Sequence, residues 1–159
     1  MDVACGTGRL ARGLAPDGEN YVGIDASRAM LGEHPLAGRT LQGDAFHLPF
    51  PDRSFELVFA CRFLHHLVEL ADLERAAAEL VRVSRRLVAV TFWDAHSLAD
   101  WKNPKRGENE RDPRVARPRT ELEDAFARTG ARVVAWSSSM RFVSRQSYAL
   151  VERDRANDS

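Results

Sequence analysis

Asp2-Val3-Ala4-Cys5-Gly6-Thr7-Gly8 reads as the end of a strand running straight into a tight glycine turn. Residues 1–4 form an apolar strand stub, and residues 9–14 form a short helix whose Leu10, Ala11 and Leu14 share one face. Glycines between a strand and a helix let the backbone pivot and approach a ligand closely, and the first amides of the helix point toward it. Gly6-Thr7-Gly8-Arg9-Leu10-Ala11 also satisfies the G-x-G-x-x-G/A pattern of dinucleotide binding, with Asp25 roughly 20 residues on, where a ribose-binding acid belongs. By itself the turn fits a nicotinamide dinucleotide, another nucleoside cofactor, or a structural turn.

The sequence that follows sets this turn in a regular alternation. Asp17-Gly18 marks a turn, and residues 21–24 read as a buried second strand ending at Asp25. Ser27 caps a helix through Leu31, which Pro35 stops. Residues 39–43 form a weaker third strand, Leu48-Pro49-Phe50-Pro51-Asp52 a proline-set loop, and residues 55–60 a fourth strand apolar enough to be central in a parallel sheet. From 70 to 85, Leu73, Ala76, Ala77, Leu80, Val81 and Val83 recur at helical spacing and predict a covering helix. A fifth strand over 87–93 precedes a long polar loop, 95–118, expected to act as a partial lid. Thr120 and Glu123 form a capping box for a helix through Arg128, ended by Gly130. Two β-rich runs, 132–138 and 146–151, close the chain. The expected fold is a doubly wound α/β sheet of seven mostly parallel strands with a C-terminal antiparallel hairpin. Ligands bind such sheets beyond the carboxyl ends of the strands, so the strand-terminal residues are the candidates for function.

Composition narrows the classes. The 159 residues fit one domain, and 44% hydrophobic content suffices for an ordinary core. Basic and acidic residues number 23 each, so no net field draws in nucleic acid. Cys5 and Cys61 lie in apolar segments without metal-ligand spacing and read as reduced core thiols, with no metal site. No run approaches the roughly 18 apolar residues of a membrane span, and no signal-peptide order opens the chain, so a cytoplasmic protein is expected. The domain is expected over 1–153, with 154–159 as a flexible tail.

Three features separate the candidate cofactors. Asp2, an acid inside a strand, is costly to bury without a polar partner, and the ammonium of an amino-acid cofactor would be one. Gly43-Asp44-Ala45 ends the third strand, where a carboxylate can accept from an adenine amino group. The third is Leu48-Pro49-Phe50-Pro51-Asp52-Arg53-Ser54-Phe55-Glu56, continuing to Phe63-Leu64-His65-His66-Leu67. In this ordered set the chain resembles the class I S-adenosylmethionine-dependent methyltransferases, in the broad small-molecule group that includes quinone-biosynthesis enzymes. The resemblance runs from Met1 to about Trp93.

The resemblance implies S-adenosylmethionine as cofactor and a small-molecule methyl acceptor as partner. Asp2, Ala4, Gly6 and Gly8 would hold the methionine part, Asp25 with Ala26 the ribose, Asp44 with Ala45 the adenine, and Ala60 and Cys61 would lie near the sulfonium. His65 or His66 would serve as catalytic base where the acceptor carries a proton to lose, and Asp94 and His96 face the same end of the sheet. The family carries a helix and the start of strand one before the glycine turn, so the resemblance leads to the expectation of an N-terminally truncated domain. Ser84-Arg85-Arg86 replaces the usual Lys/Arg-Pro-Gly-Gly turn, and Glu56 stands where aspartate is commoner. Two other readings stay open: a truncated or inactive fold acting as a binding module, and an NAD-dependent oxidoreductase.

Overall fold

The computed structural model describes residues 1–15, 19–97, 113–138 and 146–154. Among them a seven-stranded sheet forms from β1 (Asp2–Val3), β2 (Gly23–Asp25), β3 (Thr40–Gln42), β4 (Phe55–Ala60), β5 (Ser84–Trp93), β6 (Ala131–Ser138) and β7 (Gln146–Arg153). The spatial order is β3-β2-β1-β4-β5-β7-β6. Pairing is parallel from β3 through β5, and β7 runs antiparallel to both β5 and β6. This is the doubly wound, mostly parallel sheet expected from the sequence, with its C-terminal hairpin. Strand order reverses at β1, where Asp2 pairs with Gly23 of β2 on one side and Phe59 of β4 on the other. The glycine turn therefore leaves the sheet at its switch point, the place where open α/β sheets bind ligands.

Four α-helices are described: α1 (Ala11–Leu14), α2 (Arg28–Gly32), α3 (Leu70–Val83) and α4 (Arg119–Ala127). In α3 the periodic residues Leu73, Ala76, Ala77, Leu80, Val81 and Val83 are all buried. They join Val3, Val58, Val88 and Val90 of the sheet and Leu122, Ala125 and Phe126 of α4 in one core. Ser27 caps α2 as expected, its hydroxyl accepting from the Met30 amide.

Several boundaries differ from expectation. α1 begins at Ala11 rather than residue 9, because Gly8 sits at φ +71 and holds the chain in turns until the helix can start. β2 begins at Gly23, two residues later than read. α3 ends at Val83, and β5 begins at once with Ser84, so Arg85 and Arg86 are strand residues. The buried Ser84 hydroxyl donates to the Leu87 carbonyl (2.9 Å), and a register shift in β4 between Phe55 and Leu57 absorbs the abrupt entry. Thr120 does not cap α4. Pro118 holds the N-cap position without a side-chain cap bond, and the helix entry is anchored by ion pairs, Arg119 to Asp94 (2.8 Å) and Arg117 to Glu121 (2.7 Å). The Asp17-Gly18 turn, positions 98–112 of the long loop and the tail at 155–159 lie outside the described residues, while the Asp154 amide donates to Gly130 O.

The proline-set loop has a structural purpose. Arg82 of α3 donates to the Leu48 and Phe50 carbonyls and pairs with Asp52 and Glu79, while the Leu48 amide donates to Glu79. Salt bridging to Arg82 holds the Glu79 carboxyl below its usual range. This clamp fixes the approach to β4 and hence the level at which β4 ends.

Candidate functional site

Three residues of the opening turn, Ala4 (φ +55), Gly6 (+55) and Gly8 (+71), occupy the left-handed region. Alanine accepts that region only at a cost of about 1 kcal/mol or more, so the surroundings must impose it. They do so through Asp25. Its carboxylate accepts the Gly6 amide on one oxygen and the Ser27 amide on the other, both at 2.8 Å, while the Cys5 amide donates to Ile24 O (3.1 Å) and the Gly43 amide to Asp25 O (3.0 Å). One acid at the end of β2 thus ties together the glycine turn, the start of α2 and the end of β3. Gly8 has a further constraint: a Cβ there would lie 2.5 Å from the His34 ring and 2.7 Å from Pro35.

Beneath the turn runs a buried polar chain. The Leu36 amide donates to His34 Nδ1 (3.0 Å), so that nitrogen is unprotonated and Nε2 carries the hydrogen of the neutral ring. Nε2 then donates to the Tyr21 hydroxyl (3.1 Å), and Tyr21 donates to Asp2 Oδ2 (2.9 Å). The partner that makes Asp2 tolerable at 3% exposure is therefore Tyr21. Burial still raises the Asp2 carboxyl above its usual value, opposed by the Tyr21 bond, and burial lowers His34. With the folded His34 below 6.5, the unfolded chain takes up a proton first on acidification. Its contribution to stability is level above that value and falls as pH drops through it, flattening once the folded ring also charges. Urea denaturation between about pH 5.5 and 7.5 is expected to show this slope, diminished in His34→Gln.

A cavity of about 480 Å³ opens beyond the carboxyl ends of β1 and β4. The glycine turn forms one wall with Asp2, Ala4, Cys5, Gly6, Thr7, Arg9 and Leu10, beside Met30; Cys61, Arg62, His66 and Arg114 form the other. A second cavity, about 540 Å³, lies at the opposite end of the sheet, at the amino ends of β1, β2 and β4 beside Met1, Tyr21 and Phe55.

Of the residues singled out in the sequence, Asp2, Ala4, Gly6, Cys61 and His66 line the first cavity. Gly8 supports the turn from below, and Asp25, with exposed Ala26 beside it, reaches the wall through the Gly6 amide. Ala60 is wholly buried at the end of β4. Asp44 and Ala45 sit at the neighbouring β3 end outside the lining; the exposed Asp44 carboxylate accepts the Phe46 amide (2.9 Å), which holds it below its usual value, and meets His47 (3.3 Å). His65 is 2% exposed and stacks on Trp93, centroids 4.8 Å apart and 1° from parallel, so it does not reach the cavity. Asp94 is buried and occupied by Arg119 and the His96 amide. Both cysteines are free thiols; burial pushes Cys5 up to about 12. No group of metal-ligating side chains occurs among the described residues.

Sequence reasoning missed Arg9, Met30, Arg62 and Arg114. Arg9 sat inside the quoted glycine pattern and Arg62 directly beside Cys61, so position could have found both. Arg114 lay in a loop of mixed charge that carried no such signal. The structure recruits it because the returning limb of that loop is stapled down: Val115 N donates to His65 O (2.8 Å), Arg117 N to Trp93 O (2.9 Å), and the Arg117 guanidinium to Leu67 O and Val68 O.

The fold and site define an α/β nucleoside-cofactor domain, in which a reversed β7 lies between β5 and β6 instead of the all-parallel 3-2-1-4-5-6 order of dinucleotide enzymes. Comparison with known proteins gives the family. The methyltransferase domain family matches residues 1–89, and the chain belongs to it, among the class I S-adenosylmethionine-dependent methyltransferases. A demethylmenaquinone methyltransferase of Thermobifida fusca is 32% identical over 155 residues, covering 86% of this chain and 61% of the relative. One from Symbiobacterium thermophilum is 38% identical over 96 residues, covering 52% of this chain and 37% of the relative. The chain thus spans less than two thirds of either relative's length. Among solved structures, magnesium protoporphyrin IX methyltransferase of Synechocystis with bound S-adenosylhomocysteine superposes with TM-score 0.79 at 19% identity, over 96% of this chain and 73% of that one. Nothing in these comparisons supports an oxidoreductase. No described helix is long and apolar enough to cross a membrane.

Proposed function

We propose that this chain transfers the methyl group of S-adenosylmethionine to a small-molecule acceptor. The observation that carries the reading is the shared cavity: the glycine turn, fixed by Asp25, faces the segment following β4 across one opening at the switch point. The residues fit the cofactor. Each Asp25 oxygen accepts a single amide, leaving lone pairs for two ribose hydroxyls. Asp2, with Ala4, Gly6 and Gly8, would hold the methionine part, Asp44 and Ala45 the adenine, and Cys61, with Ala60 beneath it, the surroundings of the sulfonium.

When bound, the cofactor supplies a methyl carbon already activated for in-line displacement, so the protein mainly orients the partners and excludes water. His66, on the cavity wall, is the histidine positioned to take a proton from an acceptor hydroxyl; His65 packs behind it. The small-molecule class is supported by the relatives, whose names give a quinone precursor and a porphyrin as acceptors, and by the chain's zero net charge.

Asp2→Asn is a sharp variant here. Asparagine keeps an oxygen for the Tyr21 hydroxyl and removes a buried charge, so urea stability is expected to hold or rise. S-adenosylhomocysteine affinity is expected to fall at least about tenfold, because the cofactor ammonium loses its counter-charge. Calorimetry and denaturation on the same preparation read both. The acceptor class is tested by incubating the protein with methyl-labelled cofactor and a bacterial extract. Label in the low-molecular-mass fraction is expected. Label confined to protein or RNA would overturn the acceptor class, and binding without any transfer would make the chain a binding module.

A further inference from the structure

Asp2 lines the cavity from a nearly buried position, and its support comes from two residues outside the cavity wall. Tyr21 precedes β2 and His34 follows α2, and both are buried. Two glycines make room for them. A Cβ on Gly23 would meet the Tyr21 ring at 3.2 Å and the Cys5 sulfur at 2.9 Å, as one on Gly8 would meet the His34 ring. The direction of hydrogen bonding is fixed from the far end of the chain. Because the Leu36 amide occupies His34 Nδ1, the neutral ring donates from Nε2 alone, and the Tyr21 oxygen receives that hydrogen. A hydroxyl that could otherwise rotate is thereby left to donate to Asp2 Oδ2, while Oδ1 takes no protein hydrogen bond among the described residues. We propose that Tyr21, oriented by His34, is a positioning residue for the cofactor: it holds Asp2 ionised, with Oδ2 occupied and Oδ1 left for the cofactor ammonium. This rests on the reading that Asp2 holds the methionine part of S-adenosylmethionine.

The groups around Asp2 show why the hydroxyl matters. Burial favours the protonated acid, and the Tyr21 bond is the largest influence against it; the Met1 amino group adds to that opposition, and the Asp25 carboxylate works with burial. The Cys5 thiol also faces both Asp2 and Tyr21, but burial pushes it up to about 12, so it adds no charge near neutral pH. Removing the hydroxyl deletes a charge-assisted bond and leaves burial less opposed. The carboxyl then rises, and acidification takes away the counter-charge of the ammonium. A residue that only filled space would leave no such dependence on pH, because a lost packing contact weakens binding equally whether Asp2 is charged or not.

The test titrates S-adenosylhomocysteine into the whole chain by calorimetry at about pH 6 and about pH 8. Wild-type affinity is expected to differ by less than about threefold between the two. Tyr21→Phe keeps the ring beside Gly23 and is expected to bind about tenfold more weakly than wild type at the lower pH, recovering to within about threefold at the higher as Asp2 ionises. In an Asp2→Asn background the same substitution is expected to change affinity by less than about threefold at either pH. A Tyr21→Phe loss equal at both pH values, or one that persists beside Asp2→Asn, would make Tyr21 a packing residue and overturn the inference. No loss at the lower pH would overturn it as well. Two NMR signals of the wild-type protein keep the test decisive if Tyr21→Phe does not fold. At about pH 7 the His34 ring nitrogens are expected to report a neutral ring protonated at Nε2, and the Asp2 carboxyl carbon an ionised acid. A charged His34, a ring protonated at Nδ1, or a protonated Asp2 would overturn the inference. Failure of wild-type protein to bind S-adenosylhomocysteine would instead overturn the underlying cofactor reading.

Discussion

Asp25→Ala is expected to weaken S-adenosylhomocysteine binding by about 100-fold or more, measured by calorimetric titration. Two ribose hydroxyls bonded to a charged acceptor contribute about 1.5 kcal/mol each, or about 3 kcal/mol together. The same carboxylate also holds the Gly6 and Ser27 amides at 2.8 Å, so its loss releases the glycine turn from α2 as well. Asp25→Asn should do nearly as badly, because its amide nitrogen would face one of those two backbone N–H groups, donor against donor. A change below about threefold in either variant would remove Asp25 from the site.

Gly8→Ala is expected to damage folding more than any other single methyl addition at the site. The new Cβ would meet the His34 ring at 2.5 Å and Pro35 at 2.7 Å, on a backbone at φ +71. Strain and overpacking together cost about 3 kcal/mol, which for a chain of this size lowers the melting temperature by about 6–12 °C. Displacing His34 also breaks its bond to Tyr21 and loosens the Tyr21 bond to Asp2, so cofactor affinity should fall even below the new melting point. Gly13→Ala supplies the control. Nothing lies within 4 Å of its Cβ, and it sits inside α1, where alanine is the better helix former.

How far these features were legible in the sequence depended on whether they were local. The parallel strands, the α3 stripe and the Ser27 cap each follow from a few consecutive residues, and each formed as expected apart from the starts of β2 and β5, which lie at Gly23 and Ser84. The α3–β5 seam was misplaced because Ser84 leaves the helix through a hydroxyl bond to Leu87, which the apolar pattern does not record. Thr120 lost its capping role to ion pairs at the helix entry, the long-range Asp94 to Arg119 and the local Glu121 to Arg117. At the site, Asp25 and the glycine turn announce themselves through spacing, whereas the Tyr21 and His34 supports beneath Asp2 come from residues 19 and 32 positions away and have no motif. His65 and His66 are adjacent and chemically equal in sequence. Only the stacking of His65 on Trp93 separates the packed ring from the one on the cavity wall.

The measurement that bears most directly on the account is an amide-resolved NMR titration of the 17.8 kDa chain with S-adenosylhomocysteine. Saturable shifts are predicted at Gly6, Asp25, Ser27, Cys61 and Arg62, with Asn20, Phe55 and Leu57 around the opposite cavity unmoved. No saturable shift, or shifts gathered around that opposite cavity, would contradict the assignment of the glycine-turn cavity to the cofactor.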